Sequence, residues 1–307
     1  MALTVTSNVP QVLDPAKSEL FMDGFLSGEG VVYPKFFRLQ GSGEQSIEKA
    51  SLLPPAGFTS GVQGEDIPTS AIGQGNAVTY NMVERVIGYQ IAAFLYGFIT
   101  GNQMRQAQLG DFIRQMGVAS QLLYDTDCMS VFANATTDLG ADGVPMVDGS
   151  HPDEIGGTIS NEGSTAMDHA AFAAAFVVGA RLPSPEGLRG SVRYDTVLCP
   201  PDLEVAARRL MVDTHISASN VATNDGNIVG GWIKDLVTSV ELTDTNNWFL
   251  VATEGASPFR GNLYINRPPN PKEWIDPDSD NYKITDRSHH AFGHDNSWRS
   301  VFGATVA

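Results

Sequence analysis

The sequence predicts an α+β protein built around one dominant helix. Three observations carry that expectation. Residues 100–135 keep a helical apolar spacing with no proline; runs rich in β-branched and aromatic residues at 31–39, 77–98 and 232–253 read as strands; and 31 glycines with 17 prolines punctuate what lies between. The chain of 307 residues is long enough for one large domain or two ordinary ones.

In chain order, residues 1–30 hold no lasting period. Pro10, Pro15, Gly24, Gly28 and Gly30 read as an extended arm with at most one helical turn near 18–25. Such an arm cannot bury its own Leu20, Phe21 and Phe25, so these lie on something else. Residues 31–39 form a strand. The segment 40–76 is rich in Gly, Ser, Pro and charge, and structureless loops inside compact domains rarely exceed about 15 residues. It is therefore disordered, functional or a long two-stranded projection; strand-like flanks favour the projection, returning through one or two strands at 77–98.

The long helix follows. Thr100 and Gln103 have capping-box spacing. Leu109, Phe112, Ile113, Met116, Ala119, Leu123 and Tyr124 share one face, while Met104, Val118, Leu122 and Met129 make a weaker line nearly opposite. Asp127 falls within the main face, so packing changes character there. At 1.5 Å per residue the helix runs roughly 50 Å, and two apolar lines imply cover on more than one side. A second helix spans 166–181, stopped by Pro183 and Pro185. Residues 194–199 make a short strand, and Pro200-Pro201 start a third helix to about 211, with Glu204 near its positive end and Arg208 and Arg209 near its negative end. Strands follow at 232–242, 248–253, 262–266 and 282–285, and an acidic turn lies at 276–280.

Composition narrows the function. Nineteen basic against 35 acidic residues give a net charge of −16, which argues against a general grip on nucleic acid. Cys128 and Cys199 sit in apolar surroundings and read as buried thiols. The start of the chain lacks a signal-peptide pattern, and the longest apolar run, 91–99, is too short to span a membrane. The expectation is a soluble protein made in the cytosol, with no membrane partner.

Candidate chemistry is thin. His151 lies beside Asp148 and Ser150, but near neighbours on a loop do not make a nucleophile–base–orienter line. His289, His290 and His294 suggest a metal cluster and hence a metal-dependent hydrolase, yet adjacent histidines on a strand point to opposite faces. Asp276-Pro-Asp-Ser-Asp280 matches the first ligands of a calcium loop, but Asn281 stands where the turn needs glycine and Arg287 where a glutamate is needed. Glycines at 41–43 and 226–231 lack the strand–glycine–helix order of a phosphate loop. The expectation is no enzyme and no cofactor.

Three segments carry a family resemblance: Asp142-Gly-Val-Pro-Met-Val-Asp-Gly-Ser-His-Pro152 with Ser160-Asn161 shortly after, Val197-Leu-Cys-Pro-Pro-Asp-Leu-Glu-Val-Ala-Ala207, and Phe292-Gly-His-Asp-Asn-Ser-Trp-Arg299. Their order resembles the major capsid protein of tailed bacteriophages, the Hong Kong 97-type shell fold. The resemblance implies an N-terminal arm (1–32), an extended loop (33–85), a peripheral domain with its spine helix (86–197), an axial domain (198–287) and a C-terminal strand (288–307) returning to the peripheral domain. It implies a virion protein assembling with copies of itself in pentamers and hexamers, enclosing double-stranded DNA without reading its sequence. Interface residues would be Leu20, Phe21 and Phe25 of the arm, with Phe37, Arg38, Glu44, Glu48, Lys49 and Phe58 of the loop. Some members carry an N-terminal scaffolding segment; no such coiled-coil stretch is read here, so a separate scaffolding protein is expected, or the segment is dispensable. A portal and an optional decoration protein are the further partners implied. Some relatives crosslink a loop lysine to an asparagine. Lys35 and Lys49 are poorly suited, so a noncovalent shell is expected. An encapsulin-like protein cage is the alternative within the same fold.

Overall fold

The computed structural model of the chain describes residues 11–12, 14–28, 30–52, 74–152, 157–182, 191–212, 229–255, 258–295 and 297–306. In chain order the strands are β1 (Gln11–Val12), β2 (Phe37–Gly41), β3 (Ser46–Leu52), β4 (Gln74–Asn81), β5 (Val83–Ile91), β6 (His151–Pro152), β7 (Thr158–Ile159), β8 (Glu162–Gly163), β9 (Thr196–Cys199), β10 (Asp235–Thr238), β11 (Trp248–Val251), β12 (Gly261–Arg267), β13 (Lys272–Ile275), β14 (Tyr282–His294) and β15 (Val301–Ala304). The helices are α1 (Pro15–Leu26), α2 (Ala93–Thr100), α3 (Gln103–Ala133), α4 (His169–Arg181) and α5 (Glu204–Val212).

Helix α3 is the predicted long helix, and its start differs from the expected one. Asn102 is the cap, its side chain accepting from the Met104 N–H at 3.0 Å. Thr100 instead closes α2, its hydroxyl donating to the Tyr96 and Gly97 carbonyls. The stretch 93–98, expected as strand, is therefore helical. Gly101 and Asn102 break the chain between the two helices.

The arm is a second correction. Pro15 at the first turn and the Asp14 carboxylate on the Ala16 N–H start α1, which lies along α3 with the backbones in contact. A Cβ on Gly117 would stand 2.1 Å from the Phe21 carbonyl oxygen, and one on Gly24 2.0 Å from that of Arg114. This approach buries Phe21 and half-buries Leu20 and Phe25 within the chain itself. The glycines that weaken α3 by propensity are the seat of α1.

Two sheets flank α3. The first has the order β1-β13-β14-β12-β2, with β5 along the other side of β14. Tyr282, Ile284, Asp286, Ser288 and His290 alternate along β14 as one buried row. The polar members meet α3: Ser120 donates to Asp286 at 3.1 Å, Tyr124 and Ser288 share a hydrogen bond of 2.8 Å, and His290 Nε2 meets Asp127 at 2.7 Å. Two strand residues rise about 6.6 Å, and the matching helix steps of four and then three residues rise about 6.0 and about 4.5 Å, so these pairs stay within reach of one another and fix the register of helix on strand. This is the change of character at Asp127.

The second sheet runs β10-β9-β11-β15-β8. Strand β9 is buried throughout, as a central strand covered on both faces requires. Val197 and Cys199 face α4 and α5, with Trp248 and Leu250 of β11; Leu198, Phe249 and Val251 face the end of α3. Phe132 sits in that shared core, 5.1 Å from Phe259, 5.3 Å from Phe36 and 5.8 Å from Phe249 between ring centroids. One core therefore joins both sheets.

Strand pairing also redraws the expected domain limits. Residues 261–294, expected in the axial domain up to 287, belong to the sheet under α3, and terminal β15 pairs with β11 in the other sheet. The polar residues after 285 hid the continuation of β14, because their partners lie on α3.

Candidate assembly surfaces

Strands β3 and β4 form a two-stranded ribbon outside both sheets, with Ser46 opposite Asn81. This agrees with the predicted projection; residues 53–73, among them Phe58, lie outside the described residues. The ribbon is rooted by Tyr80, which is buried against Tyr264 with ring centroids 5.1 Å apart. Its hydroxyl donates to Asp295 at 2.7 Å and accepts from Asn262 at 3.1 Å, and Lys49 of β3 forms an ion pair with the same Asp295. Burial, then the Asp295 hydrogen bond, pushes the Tyr80 phenol pKa up, keeping it neutral. Gly293 has φ +155° beside the Tyr80 ring, where a Cβ would stand 3.0 Å from it.

The expected interface residues divide. Arg38, Glu44, Glu48 and Lys49 lie on the surface. Phe21 is 1% exposed and Phe37 4% exposed, so both serve this chain's own core and are not free to face a neighbour. Phe37 fails as a surface residue because β2 pairs in parallel with β12 and turns that ring onto Phe132 and Phe259.

Two of the three sequence segments that carry the resemblance, 142–161 and 292–299, meet in space. Asn161 is fully buried; its amide nitrogen lies 2.8 Å from the Met146 carbonyl oxygen and 3.0 Å from those of Trp298 and Val301, while its oxygen accepts from the Asp148 N–H at 3.0 Å. Beside it His151 stacks on Trp298, centroids 4.0 Å apart and planes 3° apart, with Nδ1 3.0 Å from Asp142. Asp148 instead accepts from Ser150 at 2.6 Å as a local turn. The arrangement ties the 142–152 loop, residue 161 and the start of β15 into one knot. It presents no nucleophile to His151.

The other histidines separate. His290 is buried on Asp127, whose carboxylate also receives Arg85 of β5 at 2.6 Å. Burial raises the Asp127 pKa, but the hydrogen bonds from His290 and Arg85 outweigh it and hold the carboxyl below its usual range. His289 points the other way, 3.4 Å from Glu84. His294 is half-buried, its imidazole pushed down to about 4 by burial, and accepts from the Ser297 N–H. Among the described residues no three His, Cys, Asp or Glu side chains are placed to hold a metal ion. In the acidic turn, Asp276 is occupied by Lys283 at 2.6 Å and by Ser279 at 2.8 Å. Cys128 and Cys199 are buried free thiols; burial raises both pKa values, that of Cys199 to about 12.

Sequence reading missed the Tyr80–Asn262–Asp295 root, whose members lie far apart in the chain. It also took most of α2 for strand and noted 91–99 as too short for a membrane; among the described residues no helix is long and apolar enough to cross one.

Comparison with known proteins bears on this architecture. A family model described as phage capsid protein matches residues 90–303. The structure resembles the capsid of cyanophage P-SCSP1u (11% identity, 90% of this chain and 88% of that one, TM-score 0.56) and the procapsid of bacteriophage JBD30 (12% identity, 95% and 76%, TM-score 0.53). It also resembles a virus-like particle from Pyrococcus furiosus (8% identity, 94% and 98%, TM-score 0.53). A search of curated proteins finds no match.

Proposed function

The chain belongs to the phage capsid protein family, and from that premise we propose how copies of it close a shell. It is a structural protein of the virion with the Hong Kong 97-type fold, not an enzyme. The fold alone is shared with the virus-like particle from Pyrococcus furiosus, so the family match favours a viral shell over a protein cage. In this reading the shell encloses double-stranded DNA. The acidic surface keeps the wall from adhering to it.

The observation that carries the contact model is the ribbon. Its root is held by buried, hydrogen-bonded groups, while Glu44, Glu48 and Lys49 beyond the sheet are exposed. The ribbon contributes little to this chain's core and is fixed in direction, which suits a contact reaching over a neighbour in a pentamer or hexamer. Arg38 is exposed as well. Lys35 is paired with Asp235 at 2.6 Å and Lys49 with Asp295, and these ion pairs support a shell without covalent links between subunits. A scaffolding protein, a portal and a decoration protein are the further partners of this reading.

Replacing residues 47–78 with a short Gly-Ser turn keeps Tyr80 in its socket and tests the model. The truncated chain is expected to unfold cooperatively by circular dichroism, yet give no closed particles by negative-stain microscopy under conditions where the full chain does. Closed shells from the truncated chain would refute the contact. A truncated chain that is unfolded would place the ribbon in the core.

A further inference from the structure

Helix α2 is made almost wholly of apolar residues, and none of its eight residues is buried. Its inner side is anchored: Tyr96 stacks on Tyr282 with centroids 4.2 Å apart, and the Ala93 N–H donates to Asn281 at 3.0 Å. Its outer side carries Phe94 and Phe98, one turn apart with rings 5.3 Å apart, and is 80% and 53% exposed at those residues. Leu95 is 50% exposed and the adjoining Met104 82%. With roughly 150–250 Å² for a full aromatic side chain, these four residues, close in the chain, leave on the order of 500 Å² of apolar surface exposed. That matches the largest patch an ordinary soluble monomer shows, and such patches are usually functional.

Charge at this end of the sheet indicates the occupant. The turn joining β13 to β14 lies beside α2, because Ile91 and Ile275 both pair with Tyr282. Asp278 and Asp280 of that turn are exposed. The Arg105 guanidinium lies over the Phe98 ring, 4.9 Å from its centroid. One end of the molecule thus carries an apolar face, a cation at its border and an acidic turn beside it, and is complementary to itself. Two such patches meeting remove about 1,000 Å² from water, the size at which a contact between proteins becomes specific.

We propose that this end of the sheet is a self-contact. The outer face of α2 packs on α2 of a second copy, and Arg105 of each lies opposite Asp278 and Asp280 of the other. The inference rests on the shell reading above and adds a contact separate from the ribbon, at the opposite end of β14.

The test uses the full chain. Phe94→Ser with Phe98→Ser is expected to leave the subunit's circular dichroism unchanged and its melting temperature within about 2 °C, since both rings are exposed, while particle yield by sedimentation falls at least tenfold. In a Leu95→Cys chain the new thiol is the accessible one, because Cys128 and Cys199 are buried. Oxidised particles should then give a covalent dimer of the chain on a non-reducing gel. Normal particle yield from the serine variant overturns the proposal, as does a Leu95→Cys chain that links only to another protein or not at all. If the serine variant fails to fold, the cysteine arm still decides. Failure of the unaltered chain to form particles with or without a scaffolding protein would instead refute the shell reading itself.

Discussion

Asn161 makes the most testable claim about what holds the subunit together. Its side chain is fully buried, and its amide group meets three carbonyl oxygens at 2.8–3.0 Å while its oxygen takes the Asp148 N–H at 3.0 Å. Two N–H groups shared among three acceptors, plus the accepted bond, amount to three hydrogen bonds of about 1 kcal/mol each. Asn161→Ala also leaves buried groups without partners, which raises the expected loss to about 4 kcal/mol and the melting-point drop to roughly 8–16 °C. Asn161→Asp should be worse at neutral pH, because a carboxylate then faces carbonyl oxygens. Its folded pKa would rise above the unfolded value near 4, so its excess penalty should grow as pH rises from about 5 to 7.5. Urea unfolding of the unassembled subunit, followed by circular dichroism and tryptophan fluorescence, measures all three chains. An alanine variant within 1 kcal/mol of the parent, or an aspartate variant no weaker than alanine at neutral pH, would show that the amide does not serve these carbonyls.

Three further outcomes are expected. Gly117→Ala places a Cβ 2.1 Å from the Phe21 carbonyl oxygen; α1 must shift, costing about 3 kcal/mol, and proteolysis within 15–26 should become faster. Asp127→Asn should cost about 3 kcal/mol by leaving His290 and Arg85 without their shared anion, less than a fully enclosed pair would because Arg85 is partly exposed. The parent's share of that stability is present above the unfolded pKa near 4 and is lost as pH falls through the lowered folded value, so the difference between the two chains should shrink in acid. His294, with its imidazole pushed down to about 4, binds fewer protons folded than unfolded; stability should fall by about 3 kcal/mol between pH 6.5 and 4, and His294→Gln should flatten that slope in pH-dependent unfolding.

Periodicity made the long helix legible, because Ile113, Met116 and Tyr124 bury one continuous face. The arm was misread for the opposite reason. Its helix is stabilised by a backbone contact through Gly24 and Gly117, and a contact between distant glycines leaves no local pattern. Strand β14 seemed to stop at 285 because Asp286, Ser288 and His290 look like surface residues until α3 supplies Ser120, Tyr124 and Asp127. The histidines looked like a metal cluster by number alone; strand alternation sends His289 and His290 to opposite sides, as geometry demanded. Of the proposed assembly surfaces, the projection was readable from its length and polarity. The socket that aims it was not, since Tyr80, Asn262 and Asp295 meet only in the folded chain.

The two proposed contacts lie toward opposite ends of one strand. Val83 pairs with His290 near the ribbon's root, and Ile91 pairs with Tyr282 beside α2. Eight residues at about 3.3 Å each set these points roughly 27 Å apart. Between them, β14 is locked to α3 by three hydrogen-bonded pairs, so strand and helix act as one beam. A beam of fixed length separating two self-contacts would set the angle between neighbouring subunits, and hence the curvature of the shell. Loosening the beam at a buried position should therefore alter assembly without touching either contact. Asp127→Asn removes one of the three pairs and no surface group. At a temperature where that subunit is still folded, its particles should show a broader size distribution by light scattering than those of the parent chain. Unchanged size would mean that curvature is set at the contacts themselves and that the seam serves stability alone.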